Sequence, residues 1–236
     1  MNNQALDTDT TTMTAAFQRL LKQRVSYRAF RPEPIDDDTL RQLFSDALWA
    51  PSNCNTQPWE VHVVSGEARD RLVDALIKAA AEFDPHPDFS FDVGAYKGAL
   101  EERRKAQGAS YYQALGVRRE DHEKRRGISQ QNYQLFGAPH VAFLFMPEVG
   151  DSVRVASDVG MFAQTFLLAL AARGLAGVPQ TSLGGFPDLV RNELQIPSQS
   201  KLLFGISFGT PDTTSAAYAY RIGRESLETL VSFHSS

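Results

Sequence analysis

Residues 140–146 read HVAFLFM and residues 201–209 read KLLFGISFG. Strand-length runs with so little polar character belong in the interior of a sheet covered on both faces, not at a surface. Between them lies the most apolar stretch of the chain, Met161 to Ala172, broken only by Gln164 and Thr165. A membrane span needs about 20 apolar residues, so residues 152–173 read as a long buried helix closed by Gly174. The covering elements are also written in the sequence. Residues 36–49 place Leu40, Leu43, Phe44, Ala47 and Leu48 on one stripe after Asp36, a good N-cap, and Pro51 ends that helix. Helical spacing recurs over 14–24, with Phe17, Leu20 and Leu21, and over 67–83 and 186–197. WEVHVVS (59–65) alternates and is rich in β-branched residues, the mark of a third strand. The order of elements predicts an α+β domain with a central mixed, mostly antiparallel sheet flanked by helices.

No repeat and no linker divides the 236 residues, so they are expected to form a single domain. Residues 1–13 carry neither a basic start nor an apolar stretch and are expected to be a flexible N-terminus without a signal peptide. Residues 84–137 change character: EERRK and RREDHEKRR alternate with aromatic residues, which reads as a helical insert with a solvated face. Residues 210–236 read as an extended C-terminal arm. A net charge of −4 argues against a nucleic-acid partner, and no membrane partner is expected. The lone cysteine, Cys54, excludes an internal disulfide framework and fits a reducing, cytoplasmic compartment.

Two false leads can be weighed directly. GISFG (205–209) matches the G-x-S-x-G nucleophile elbow, with Glu225 and His234 following Ser207 in triad order. The elbow needs a helix immediately after the serine, and TPDTT follows instead. Only 29 residues remain for the acid and histidine strands. Small residues packing a core strand explain GISFG better than a serine hydrolase does. The five histidines (His62, His86, His122, His140, His234) show no zinc spacing, so no metal site is expected. Neither G-x-G-x-x-G nor a P-loop occurs.

What remains is a set of cations and amides. RVSYRAF puts Arg24, Ser26 and Arg28 on one face if the segment is extended. Two exposed arginines would look the same; a phosphate cradle would use them as charged donors to a dianion. Arg221 and Arg224 in YRIGRESL add two more cations. Around Cys54, APSNCNTQPW gathers Ser52, Asn53, Asn55, Thr56 and Gln57 between Pro51 and Pro58, a concentration of amides suited to gripping a ligand.

Together these stretches resemble the nitroreductase family of flavin mononucleotide (FMN) enzymes. The resemblance rests on Arg24-x-Ser26-x-Arg28, on the loop of Pro51, Ser52, Asn55, Gln57, Pro58 and Trp59, on the turn GVPQTSLGGFP, and on GISFGTPD followed by RIGR. Each motif is weak alone, but the four occur in the family's order, from about residue 15 to the end. The turn PQTSLGG is similar to that of the nitrobenzoate-reducing branch. The resemblance implies an intertwined homodimer with FMN at the subunit interface. Arg24, Ser26 and Arg224 would hold the phosphate end, and Val25 and Arg221 would also bind the cofactor. Arg28 would stand at the pyrimidine edge, where negative charge grows on reduction. Pro51, Ser52, Asn53 and Asn55 would reach the flavin from the opposite subunit, and Gln57 would also bind the cofactor. The turn of Pro179, Gln180, Thr181, Ser182 and Leu183 would lie under the ring, and Asn132 would also bind the cofactor. It further implies NADH or NADPH as hydride donor and a nitroaromatic or quinone-like acceptor. Residues 84–137 would act as a lid, and the C-terminal arm would reach the partner. Reductive dehalogenation of a halophenol and oxygen-dependent flavin cleavage are the alternatives on the same fold, and a non-catalytic flavin carrier is an alternative of a different class. Cys54 falls at a variable position of the pattern and is read as a bystander, so no side chain is assigned as catalytic.

Overall fold

The computed structural model describes residues 10–235. Four strands form one sheet in the order β1-β2-β4-β3: β1 (Glu60–Ser65), β2 (His140–Pro147), β3 (Ala176–Gln180) and β4 (Ser200–Gly209). All three strand pairs are antiparallel. Among the described residues the parallel component of the expected mixed sheet is a single bridge, Ser26 to Gly177.

The two apolar runs do lie at the centre. On β2, Val141, Phe143 and Phe145 face one core and Ala142, Leu144 and Met146 face the other. All six are fully buried. The first core is closed by α3 (Gly66–Glu82) and α7 (Pro187–Leu194), through Leu72, Leu76 and Val190. The second is closed by α2 (Asp37–Ala47) and α6 (Val153–Ala172), through Leu43, Phe162, Phe166 and Leu170. Fully burying such side chains is worth roughly 1.5–3 kcal/mol each, which is why this sheet tolerates no polar face. α6 is long and apolar enough to cross a membrane, but here it is the core helix of the second layer.

Local chemistry sets the helix ends. The Asp36 carboxylate accepts the Thr39 N–H at 2.8 Å and starts α2 as expected. Gly174, at φ +70°, follows the last turn of α6 and lets the chain reverse into β3. β3 is the one strand that the sequence reading takes for a turn. Its five residues include Gly177 and Pro179, and a strand with proline is tolerated only at an edge. Gly177 is required there by contact. A Cβ would lie 2.9 Å from the side chains of both Leu167 and Leu170, so α6 sits directly on the strand.

The first helix, α1 (Thr10–Gln23), corrects the boundary of the flexible N-terminus. Residues 10–13 form its first turn, and the remainder of that stretch lies outside the described residues. α1 buries none of its residues within the chain, and Phe17 and Leu21 face outward. Residues 84–137 contain α4 (Ala99–Ala114) and α5 (His122–Gln130). The C-terminal arm carries a turn of 3-10 helix, Ala216–Ala219, and a short helix, α8 (Leu227–Leu230), and exposes Leu230 and Phe233.

His140, at the start of β2, ties the layers together. Its Nε2 accepts the Ile35 N–H at 2.8 Å, so the ring proton sits on Nδ1 and is donated to Ser65 Oγ. The ring is 1% exposed and stacks on Phe208. Burial holds its pKa below the ordinary imidazole value. The unfolded chain therefore binds this proton more readily than the folded one. Stability from His140 is complete above about pH 6.5 and is lost as the pH falls toward the depressed value. Urea denaturation at pH 7.5 and 5.5 is expected to show a larger acid loss for the parent than for His140→Gln. Equal losses would mean that another group controls this window.

Candidate functional site

The segment that leaves α1 is extended and held from both sides. Ser26 bridges to Gly177 on β3. Further on, Phe30 N–H donates to Phe136 O, Arg31 N–H to Thr210 O, and Asp212 N–H to Ala29 O. This clamp turns Arg24, Ser26 and Arg28 into one cleft of about 690 Å³ with Arg221 and Arg224 from the C-terminal arm. Val25 lines it too, with Lys22, Gln107 and Tyr220. Five cations line this cleft, and no carboxylate does.

The electrostatics are those of an anion site. Burial lowers the pKa of Arg24, and the charge of Arg224 lowers it further. Two guanidiniums are thus held close enough to repel, an arrangement that an anion between them would relieve. Arg28 lies with its guanidinium 4.7 Å from the centre of the Tyr111 ring. Tyr111 is itself pushed up in pKa by burial, against the opposing pull of Arg28.

Arg221 does something else. Its Nη1 donates to the carbonyls of Tyr218 and Tyr220, and its Nη2 donates to Tyr27 Oη at 3.0 Å. Tyr27 and Tyr218 stack at 5.2 Å beside it. Arg221 therefore fastens the arm to the segment carrying Arg24, with most of its donors already committed. Lys22, Gln107 and Tyr220 are cleft residues that motif reasoning did not find, and Tyr27 and Tyr218 stand beside them. The available signal was the repeated pairing of tyrosine with arginine in SYRAF and YAYRIGR.

The amide loop lies elsewhere in the chain. None of residues 51–57 lines the cationic cleft. The loop is built around Asn53–Asn55, a turn of 3-10 helix, and is pinned to α6 by Asp158, whose two carboxylate oxygens accept the Asn53 N–H at 3.1 Å each. Ser52 Oγ accepts the Gln57 N–H, and the Gln57 amide donates back to Asn55. Cys54, Asn55 and Gln57 all have positive φ (51°, 55° and 47°). Three non-glycine residues in that region hold the loop in a costly shape, of the kind found at ligand-gripping sites. Pro51, Asn53 and Asn55 are exposed. Cys54 is exposed, with its thiol 3.7 Å from Asn53 Oδ1 and no cation bonded to it.

The turn after β3 divides its residues between core and surface. Gln180 is 4% exposed; its amide N–H donates to Asn132 O and Oδ1, and its Oε1 accepts from Ser207 Oγ. Gln180 and Asn132 thus spend these side-chain groups on each other and on β4. The same bond disposes of the nucleophile elbow: Ser207 is fully buried in mid-strand, and Glu225 pairs with Arg103 instead. Leu183 is a core plug. A Cβ at Gly205 would come within 2.7 Å of it, so β4 needs glycine there. Thr181 and Pro179 remain at the surface, with Ser182 between. Among the described residues no three His, Cys, Asp or Glu side chains gather to hold a metal ion.

A family model described as the nitroreductase family matches residues 21–210. The chain is 44% identical over 224 residues to nitroreductase NfnB of Mycolicibacterium smegmatis, and the alignment covers 95% of each chain. It is 31% identical over 218 residues to a 4-nitrobenzoate reductase of Pseudomonas putida, covering 90% of this chain and 93% of that one. The crystal structure of the FMN-dependent nitroreductase NfnB from Mycobacterium smegmatis in complex with NADPH matches with a TM-score of 0.90 at 44% identity, over 94% of this chain and all of that one. That of the FMN and NADPH-dependent NfnB from sphigopyxis sp. strain HMH matches with a TM-score of 0.88 at 30% identity, over 93% and 99%.

Proposed function

The chain belongs to the nitroreductase family, and from that premise we propose that it is an FMN-dependent enzyme that reduces nitroaromatic or quinone-like compounds with electrons from NADH or NADPH. The carrying observation is the cleft of Arg24, Ser26, Arg28 and Arg224, with five cations and no acid. That donor set suits a phosphate monoester, the charged end of FMN. Bound there, FMN would supply two-electron chemistry, accepting a hydride from the nucleotide and delivering it to the acceptor after the nucleotide leaves.

The chain's own residues bind and tune. Arg24 and Arg224 take the phosphate, with Ser26 as a neutral donor. Arg28, held against Tyr111, would be the fixed cation at the pyrimidine edge and would favour the reduced, more negative ring. The loop of residues 51–57 lies outside the cleft of its own chain. It is therefore assigned to the site of a second copy, which makes the working unit a homodimer. The apolar side chains left outside favour the same reading: Phe17 and Leu21 on α1, Trp49 at 88% exposure, and Phe233 at 80% on the arm.

The test is direct. The purified protein is expected to be yellow and to release about one FMN per chain on denaturation. Anaerobic NADH or NADPH should bleach it, and 4-nitrobenzoate or a benzoquinone should restore the colour with turnover. A protein that binds no FMN on reconstitution overturns the reading, and bleaching without turnover on any acceptor reduces it to a flavin carrier.

A further inference from the structure

We propose that the pocket between α4 and α5 is a second anion site that takes the 2′-phosphate of NADPH and so selects NADPH over NADH; this rests on the flavoenzyme reading above. The pocket has a volume of about 810 Å³. Arg104 and Lys105 enter it from α4, Arg118 and Arg119 from the following turn, and Arg125 from α5, with no carboxylate in the lining.

These cations are not equivalent. Lys105 is taken by Glu101 at 2.7 Å, and Arg118 by Glu120 and Asp121 at 3.4 Å. Arg104, Arg119 and Arg125 make no ion pair among the described residues. The Nε of Arg104 is buried with no hydrogen-bond partner. A guanidinium N–H shut away from water without an acceptor is costly, and an incoming anion supplies the acceptor. Arg125 is fixed with its guanidinium 3.7 Å above the centre of the Tyr112 ring, so its orientation is set before any ligand arrives.

The number of free guanidiniums names the ligand. A carboxylate has two oxygens and is saturated by one bidentate arginine. A phosphate monoester has three terminal oxygens and a charge near −2, which suits three arginines. Position supports a nucleotide whose far end must reach the flavin. Val117 lines this pocket and also the cleft beneath Arg28 and Tyr111. Arg28 in turn lines the cleft of Arg24 and Arg224. The three spaces therefore adjoin in sequence. With no G-x-G-x-x-G in the chain, side chains rather than a helix N-terminus must recognise the dinucleotide.

The experiment uses the FMN-loaded enzyme at saturating 4-nitrobenzoate and compares kcat/KM for NADPH and NADH. Parent enzyme, Arg104→Gln and Arg119→Ala are measured; Arg119 is exposed in a turn, so its loss does not threaten the fold. The parent is expected to favour NADPH, and each variant to lower the NADPH-to-NADH ratio at least about tenfold through KM, the value of one charged hydrogen bond. 2′-AMP should protect against NADPH reduction better than 5′-AMP or inorganic phosphate. Equal use of both nucleotides by the parent overturns the proposal. So does a variant that raises the KM for 4-nitrobenzoate and leaves NADPH unmoved, which would give the pocket to an acidic acceptor. If neither nucleotide reduces the bound flavin, the flavoenzyme reading itself fails.

Discussion

Arg24→Ala is expected to weaken FMN binding about ten- to a hundredfold, because a charged hydrogen bond to phosphate is worth roughly 1.5–3 kcal/mol. The same substitution should leave the flavin-free protein as stable as before, or slightly more so. Arg24 is half-buried in the cleft, its charged form disfavoured by burial and by Arg224. Removing it takes away a repulsion and a desolvation cost, and no ion pair is broken among the described residues. The two effects have opposite signs, which separates a ligand-binding arginine from a structural one. Fluorescence titration of the stripped protein with FMN gives the affinity, and thermal melts with and without FMN give the two stabilities. A variant destabilised equally in both states would make Arg24 a scaffold residue.

Arg224→Ala should repeat the pattern, since its Nη1 reaches only the carbonyls of Ile222 and Gly223 in its own turn. Arg221→Ala should not. Its guanidinium joins Tyr27 to the arm, so its loss should loosen the arm even without a ligand. Of the four arginines in the cleft, Arg24 and Arg224 are thus expected to bind the anion and Arg221 to build the wall.

That division marks where the sequence stops being readable. Arg24, Ser26 and Arg28 were legible because an extended segment puts alternate residues on one face. β2, β4 and α6 were legible because burial on both sides leaves an apolar run with nothing to interrupt it. Asp36 was legible because capping is local, three residues from donor to acceptor. β3 was not, since AGVPQ lacks alternation and its strand character comes only from pairing with β4. The bonds that lock the site are also long in sequence: Asp158 to Asn53, 105 residues apart, and Gln180 to Asn132, 48 apart. No periodicity announces such a partner. The amide-rich loop, held by Asp158, and the buried Gln180, spent on Ser207 and Asn132, both take their shape from such distant partners. The anion pocket of the insert was hidden for the same reason, because RREDHEKRR mixes paired arginines with unpaired ones and only the fold sorts them.

The largest expected loss of stability comes from a residue that the motifs pass over. Arg191, on α7, is 7% exposed and holds Asp88 in a bidentate pair at 2.6 and 3.0 Å. It also donates to Asp188 at 2.7 Å and to the Ser200 carbonyl at 3.1 Å. Asp88 accepts the Leu202 N–H at 2.7 Å as well, so this one pair joins the start of the insert, α7 and the beginning of β4. Arg191→Met keeps much of the apolar stem but leaves a buried carboxylate with only an N–H for company. Removing one partner of a buried pair costs about 3–5 kcal/mol, or on the order of 6–20 °C in melting temperature for a chain of this size. Asp88→Leu should cost less, since Asp188 and the Ser200 carbonyl still accept from the guanidinium. The double variant is the informative one. With both charges gone, the desolvation penalty disappears, and it should be more stable than either single variant. pH offers an independent check through Asp188, whose carboxyl Arg191 holds below the usual carboxylate range. Its contribution is present above about pH 4 and is lost as the pH falls through the depressed value. In Arg191→Met that part of the acid dependence should shrink. If the double variant is instead no better than the worse single one, Arg191 acts through the Ser200 carbonyl and the packing of its stem, and the ion pair is incidental.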